Sequence, residues 1–138
     1  MYSEIYEACL AKLSDYDLAG LEQDERYLVL SEYIRPACVR FGVCKQDLSD
    51  RDDTAEKFNA DLSDAEIEII ASLLAQEYID ATSIRTQELM KLSLTGRDFH
   101  FVSQKDQLNA LMAMRGQFAR EVARLMSEYS YSGSELFE

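Results

Sequence analysis

Apolar residues recur at the spacing of an α-helix along most of this 138-residue chain. The longest such stripe steps by three or four positions and consists of Leu111, Met114, Phe118, Val122, Leu125 and Tyr129. Side chains at this spacing lie on one face of a helix. The chain has only five Gly and one Pro, too few for the frequent turns of an all-β protein. The pattern therefore predicts an all-α, single domain of about five helices.

The first two predicted helices span residues 3–13 and 22–43. Pro36 lies inside the second of them, where its ring lacks an N–H donor and crowds the preceding turn. We therefore expect either a kink near residues 34–35 or a split into two separate helices.

The third predicted helix has the clearest start, because Ser63 and Glu66 have the spacing of a capping box. A fourth, shorter helix is predicted over residues 83–93. Residues 98–102 alternate in polarity and predict an extended segment. The fifth and longest helix is then predicted to begin with Ser103 as its N-cap.

Residues 46–61 are polar and acidic and predict a loop with one helical turn, anchored to the core by Leu48 and Phe58. Five of its residues match the ligand places of a calcium-binding loop: Asp50, Asp52, Thr54, Glu56 and Asp61. The sixth place, however, is Ala55 instead of the Gly that the sharp turn needs, and the twelfth is Asp instead of Glu. A solvated acidic loop is the preferred interpretation, and no metal site is predicted.

The remaining reactive residues offer no recognisable catalytic arrangement. Cys9, Cys38 and Cys44 are odd in number and have no C-x-x-C spacing, which predicts buried, reduced thiols. His100 is the only histidine, so a pair of histidine metal ligands is impossible. The glycine motifs of phosphate loops and of serine hydrolases are missing from the sequence. We therefore predict no catalytic residue, no cofactor and no enzymatic activity.

The charge is strongly negative: 14 Lys and Arg against 26 Asp and Glu give −12. A protein that binds the backbone of duplex DNA needs the opposite balance. The negative charge has three possible meanings: solubility, a wall along which DNA slides without sticking, or mimicry of DNA phosphates by carboxylates. The sequence opens without a secretory signal and has no apolar run of membrane-spanning length, so we expect a protein made in the cytoplasm.

The C-terminal segment carries the best candidate for a binding surface. The sequence divides into a helical domain, residues 1–129, and an extended C-terminal arm, residues 130–138. Four large side chains flank a Ser-Gly-Ser sequence in this region: Tyr129, Tyr131, Leu136 and Phe137. Such residues are favoured at the buried centres of interfaces, so they are the predicted partner interface. The alternative is that the arm folds back onto its own domain or frays.

Short motifs along residues 3–131 resemble a small protein of tailed phages and prophages that is associated with the virion neck and with helical head–tail adaptors (connectors). The first is the run Cys-Lys-Gln-Asp-Leu-Ser-Asp-Arg-Asp-Asp at 44–53. The others are Phe58-Asn59, Asp61-Leu62-Ser63 with Glu66-Ile67, Leu92-Ser93-Leu94, Asp98-Phe99, Ser103-Gln104 with Leu108, and Tyr129-Ser130-Tyr131.

This resemblance implies a structural virion protein of the phage neck. It implies a homo-oligomeric ring of about twelve copies beneath the portal protein, closed by one repeated interface. The helices would surround a channel through which DNA passes without specific binding. The arm would contact the portal, and other surfaces would contact the next neck or tail-completion protein. Two alternatives remain open: a phage-encoded inhibitor that imitates DNA, and an assembly chaperone that is absent from the finished virion.

Overall fold

The computed structural model describes residues 2–13, 21–93 and 98–135, with side chains described except at 86–108, 111 and 132–135. The described residues form five helices and one short hairpin. In chain order the elements are α1 (Tyr2–Lys12), α2 (Gln23–Ser31), α3 (Ile34–Arg40), β1 (Arg51–Asp52), β2 (Lys57–Phe58), α4 (Asp64–Ser93) and α5 (Asp98–Glu135). The predicted all-α, single-domain fold is confirmed.

The predicted helix over residues 22–43 is two helices, α2 and α3. The break lies at Glu32 and Tyr33, and the N–H of Tyr33 donates to the carbonyl of Leu30 at 3.0 Å. Pro36 consequently occupies the first turn of α3. A proline is tolerated there because the N–H groups of a first turn have no partner inside the helix. Of the two alternatives for Pro36, the structure contains the split.

The separate helix predicted over residues 83–93 is wrong, because α4 runs without interruption from Asp64 to Ser93. The polar residues at the predicted start are buried within α4. Thr82 donates its hydroxyl to the carbonyl of Tyr78 at 2.8 Å, and Ser83 is also buried. A hydroxyl that bonds back to the preceding turn is compatible with a continuous helix.

The extended segment predicted over residues 98–102 is also wrong, and so is the N-cap at Ser103. The backbone is helical from Asp98 onward, and α5 continues to Glu135, six residues beyond Tyr129. Five alternating residues without a neighbouring strand leave their backbone groups unpaired, whereas a helix pairs them internally. The last three residues of the arm lie outside the described residues.

The acidic loop contains a short hairpin in place of the predicted helical turn. Arg51 pairs with Phe58 and Asp52 with Lys57, in antiparallel register. Glu56, with φ of 55°, supplies the left-handed residue that such a four-residue turn commonly uses. The two predicted anchors are confirmed, since Leu48 is buried and Phe58 packs against the core.

The core is built around the first half of α4, which packs against α1, α3 and α5. Its fully buried large side chains include Tyr6, Leu30, Ile70, Leu74 and Ile79. A helix with apolar residues on several sides is typical of the centre of a bundle. Within the described residues, no helix combines the length and the hydropathy that a membrane span requires.

Candidate partner-binding surface

Tyr129 lies at the centre of a network that joins three parts of the chain. Its phenol oxygen donates to Oε2 of Glu66 at 2.8 Å and accepts from the backbone N–H of Lys45 at 2.9 Å. Its ring meets the ring of Phe41 edge to face, with 5.2 Å between the centroids. The Nζ of Lys45 lies 5.5 Å from the centroid of the Tyr129 ring. The last helix is thereby attached to the start of α4 and to the end of α3.

Glu66 is the other half of this network and is almost fully buried. Its Oε1 accepts from the N–H of Ser63 at 2.8 Å, and its own N–H donates to Oγ of Ser63 at 3.2 Å. This is the capping box predicted from the sequence. Its Oε2 accepts from Tyr129 and, at 3.4 Å, from Sγ of Cys44. One carboxylate therefore caps α4 and fixes α5.

These hydrogen bonds determine the protonation states at the network. Burial alone would raise the pKa of Glu66, but the donors from Ser63, Tyr129 and Cys44 outweigh it and hold the pKa below its ordinary value. Burial raises the pKa of Tyr129, and the bond to the Glu66 carboxylate raises it further. Burial also raises the pKa of the Cys44 thiol. The network thus consists of a carboxylate anion with neutral donors around it.

The four predicted interface residues fall into three different environments. Tyr129 is half-buried within its own chain, whereas Tyr131 is exposed over 67% of its surface. Leu136 and Phe137 lie outside the described residues. The structure does not bring Tyr129 and Tyr131 together in one patch. A contact with a partner stays a prediction. Of the predicted residues that the structure describes, Tyr131 is the one exposed enough to make it.

Removal of the Tyr129 hydroxyl should destabilise the fold measurably. We expect Tyr129→Phe to lower the free energy of unfolding by about 1–2 kcal/mol, because Glu66 and the Lys45 N–H both lose a partner while the ring still packs. Urea titration followed by circular dichroism measures this. The matched control is Tyr131→Phe, which removes an exposed hydroxyl and should stay within about 0.5 kcal/mol of wild type. Equal losses in the two variants would contradict the assignment.

Acid should destabilise the protein through the same carboxylate. The folded-state pKa of Glu66 is below its ordinary value of 4.5. Below that pH the unfolded chain therefore binds a proton that the folded chain does not, and stability falls as the pH falls. We expect an unfolding free energy that is nearly constant from about pH 7 to 5.5 and declines below about 4.5. Glu66→Gln should have a shallower decline, and an unchanged slope would contradict this origin.

Charged residues connect α3, α4 and α5 at the far edge of the core. Arg40 of α3 contacts Glu77 at 2.5 Å and Asp80 at 3.4 Å, both on α4. Arg115 of α5 contacts the other oxygen of Asp80 at 2.8 Å. Partly exposed pairs of this kind contribute little energy each, but they fix the relative positions of the three helices.

The backbone of α4 continues beyond this edge to Ser93 and that of α5 begins at Asp98, and sequence analysis missed this uninterrupted length. The described core residues of α4 end at Ile79 and those of α5 begin at Met114. We call residues 84–112 the distal hairpin and the rest of the chain the body. Two large apolar side chains of the distal hairpin are exposed, Ile84 over 55% and Met112 over 41% of their surfaces. The helical spacing of the apolar residues was the sequence signal that could have revealed these two long helices.

Charge is divided very unequally between these two parts. The distal hairpin has four basic and three acidic residues, a net charge of +1. The body has ten basic and 23 acidic residues, a net charge of −13. The net negative charge of the whole chain therefore comes from the body.

The carboxylates of the acidic loop, which were weighed as metal ligands, make hydrogen bonds within their own loop. In the acidic loop, Asp52 accepts from the N–H groups of Thr54 and Ala55, and Asp50 accepts from the amide of Asn59. No group of three or more His, Cys, Asp or Glu suited to a metal occurs among the described residues. Among the described residues, three of the surface clefts have volumes of about 170, 220 and 280 Å³, below the roughly 300 Å³ at which ligand pockets begin.

Cys9, Cys38 and Cys44 are free cysteines in the structure. Cys9 and Cys38 are buried, and Cys44 is half-buried. Burial raises the pKa of Cys9 to about 12 and that of Cys38 to about 11, so both thiols stay protonated at neutral pH.

Comparison of the chain with family models, with curated proteins and with solved structures gives no match in any of the three.

Proposed function

We propose that this protein is a structural component of a tailed-phage virion: a head–tail connector that has no catalytic role and forms a ring beneath the portal. The observation that carries the proposal is the helical pair α4–α5, whose members have 30 and 38 residues. At 1.5 Å per residue, the 38 residues of α5 span about 57 Å. A rod of this length on a small domain is suited to contact between copies, and the sequence motifs resemble those of neck proteins.

The mechanism is assembly. Each copy would present one surface of the pair to the next copy, and a repeated head-to-tail contact closes into a ring when the rotation permits. The body, at −13, would repel the phosphates of DNA passing through the ring. Tyr131, exposed near the end of α5, would contribute to the contact with the portal. The protein would be made in the host cytoplasm and reside in the neck of the virion.

Assembly with the portal tests this function. The purified chain is mixed with the portal protein of the same phage and examined by light scattering and negative-stain electron microscopy over a range of salt concentrations. We expect rings attached to the portal. The absence of both a ring and a portal complex in every salt concentration would overturn the proposal.

Two further outcomes would assign the other functions. Mass spectrometry of purified virions distinguishes a connector, which is retained, from an assembly chaperone, which is lost. A DNA mimic would instead compete with DNA for an enzyme, with an affinity that weakens steeply as salt rises. Mimicry requires rows of free carboxylates, but Asp50 and Asp52 accept hydrogen bonds inside their own loop, which favours the connector.

A further inference from the structure

Leu28 and Val39 are the most exposed of the large apolar side chains that the structure describes, over 70% and 74% of their surfaces. They lie on α2 and α3, two consecutive helices of the body. Single exposed apolar residues are normal on protein surfaces. These two differ from ordinary cases because charges of opposite sign flank them.

The surface around Leu28 is acidic. Asp24 and Glu25 precede Leu28 by four and three positions, so the three side chains share one face of α2. All three are exposed. We call Asp24, Glu25 and Leu28 the acidic surface.

The surface around Val39 is basic. Residues 33–46 contain Arg35, Arg40 and Lys45 and no acidic residue. Arg35 precedes Val39 by four positions on the same face of α3, and both side chains are exposed. Arg40 already contacts carboxylates of α4, so Arg35 is the charge of this face that a partner can reach.

A cleft of about 220 Å³ lies beside Val39. Its walls include the apolar side chains of Phe41 and Leu48 and the thiols of Cys38 and Cys44. An apolar cavity of about 150 Å³ is large enough for a benzene molecule. The cleft therefore has room for one leucine side chain.

Arginine side chains also adjoin this cleft. Arg51 lines it and contacts Asp53 at 3.2 Å. The pKa of Asp53 is lowered by the hydroxyl of Tyr2 and by the charges of Arg51 and Arg35. Arg35 therefore lies near the same carboxylate as Arg51, and two guanidinium groups share one anion. We call Arg35, Val39 and the cleft the basic surface.

We propose that Leu28 of one copy inserts into the cleft beside Val39 of a second copy, with Asp24 and Glu25 against Arg35. This contact is additional to the contact that the helical pair α4–α5 would make in the proposed ring. It goes beyond the proposed function, because it requires neither a portal nor a virion.

A second copy of the chain is the occupant because it carries the complement of each surface. The basic surface suits an apolar side chain with carboxylates beside it, and the acidic surface presents that combination. The body as a whole has a net charge of −13, so two bodies repel each other in most orientations. An orientation that joins the acidic surface to the basic surface is the exception, and the repulsion elsewhere makes the contact specific.

Charge reversal tests the pairing of the two surfaces. Glu25→Arg and Arg35→Glu each turn an attractive pair into a repulsive one, so each variant alone should need about a fivefold higher concentration to associate. An equimolar mixture should associate like wild type, because each introduced arginine can then meet an introduced glutamate. Sedimentation velocity measures association. Both positions are exposed, and circular dichroism with urea unfolding verifies that the variants keep the fold.

The two reversals also separate surface pairing from total charge. Glu25→Arg raises the net charge from −12 to −10, and Arg35→Glu lowers it to −14. If total charge controlled association, the first variant would associate more readily than wild type and the second less readily. That result would overturn the proposal, and so would a mixture that associates no better than its two components.

Leu28→Ala tests the apolar half of the contact. Loss of the buried side chain should raise the concentration needed for association about tenfold. The matched control is Tyr131→Ala, which removes a side chain exposed over 67% of its surface and should leave self-association unchanged. Equal weakening in both variants, or none in Leu28→Ala, would contradict the contact.

Cys44 reports on the cleft in the unmodified protein. Its half-buried thiol lines the cleft, whereas Cys9 is buried elsewhere in the core. N-ethylmaleimide should modify Cys44 more slowly in the associated protein than after dilution, with no such difference at Cys9. An equal rate for Cys44 in both states would overturn the contact even if a variant failed to fold.

Failure of this contact and failure of the ring give different results. A wild type that associates but responds to none of these changes would overturn the contact and leave the ring intact. A wild type that stays monomeric at every concentration would overturn both. A closed dimer that the reversals dissociate would support the contact and overturn the ring.

Discussion

Glu66→Ala is expected to lower the free energy of unfolding by about 2–4 kcal/mol, because one change removes the cap of α4 and the anchor of α5. Loss of a capping residue costs about 1 kcal/mol. Beyond the cap, the hydrogen bond from Tyr129 to this charged acceptor contributes about 1.5–3 kcal/mol. The hydroxyl of Tyr129 and the N–H of Ser63 would both lose the oxygen that they now reach at 2.8 Å. Chemical unfolding monitored by circular dichroism measures the loss.

Glu66→Gln is the matched control for this prediction. The amide keeps an oxygen for the N–H of Ser63, since glutamine also serves in a capping box. Only the charge and one acceptor are lost, so we expect a loss of less than half that of the alanine variant. If the two variants lost the same amount, charge alone would account for the role of Glu66, and the capping geometry would be irrelevant.

Leu74→Ala should strongly destabilise the core, with a loss of about 2–5 kcal/mol. Leu74 is fully buried in the half of α4 that packs against α1, α3 and α5. Alanine at this position loses the transfer free energy of the side chain and leaves a cavity that neighbours on several sides cannot fill by small movements. We expect a clear shift of the urea midpoint with an unchanged slope of the transition.

Leu28→Ala makes the same chemical change on the exposed side of α2. Leu28 is exposed over 70% of its surface, so little apolar area is lost. Alanine is also the better helix former. We expect a change within about 0.5 kcal/mol. A comparable loss at both positions would show that Leu74 is not in the interior.

The sequence predicted best those features that depend on neighbouring residues. The capping box of Ser63 and Glu66 is such a feature, because both partners lie within one turn and their geometry follows from their spacing. The anchors Leu48 and Phe58 were predicted because isolated apolar residues in a polar loop need cover. The local geometry of proline likewise left two alternatives at Pro36, a kink or a split, and the structure contains the split.

Features that depend on distant packing were predicted poorly. A separate helix was predicted to start at residue 83, but Ser83 is buried inside the continuous helix α4. Residues 98–102 alternate in polarity, yet their backbone is helical, and a helix pairs its backbone groups internally. Five helices were predicted and the described residues form five, but the boundaries differ: one predicted helix is two, and two predicted helices are one.

The predicted interface illustrates the same limit. Tyr129 belongs both to the apolar stripe of α5 and to the group of aromatic residues at its end, and spacing alone does not decide between these roles. Its partners, Lys45 and Glu66, lie 84 and 63 residues earlier in the chain. Long-range contacts of this kind leave no periodic signal in the sequence.

The position of Tyr129 also has a consequence for biosynthesis. The start of α4 and the end of α3 are synthesised long before Tyr129. The Glu66 carboxylate and the Lys45 N–H therefore lack this partner until Tyr129 is added. The native contacts of α5 can therefore form only late in translation, because they join residues far apart in the sequence. Nascent chains that stop before α5 is complete would lack this bond, and cellular proteases would cleave them more readily than the finished chain.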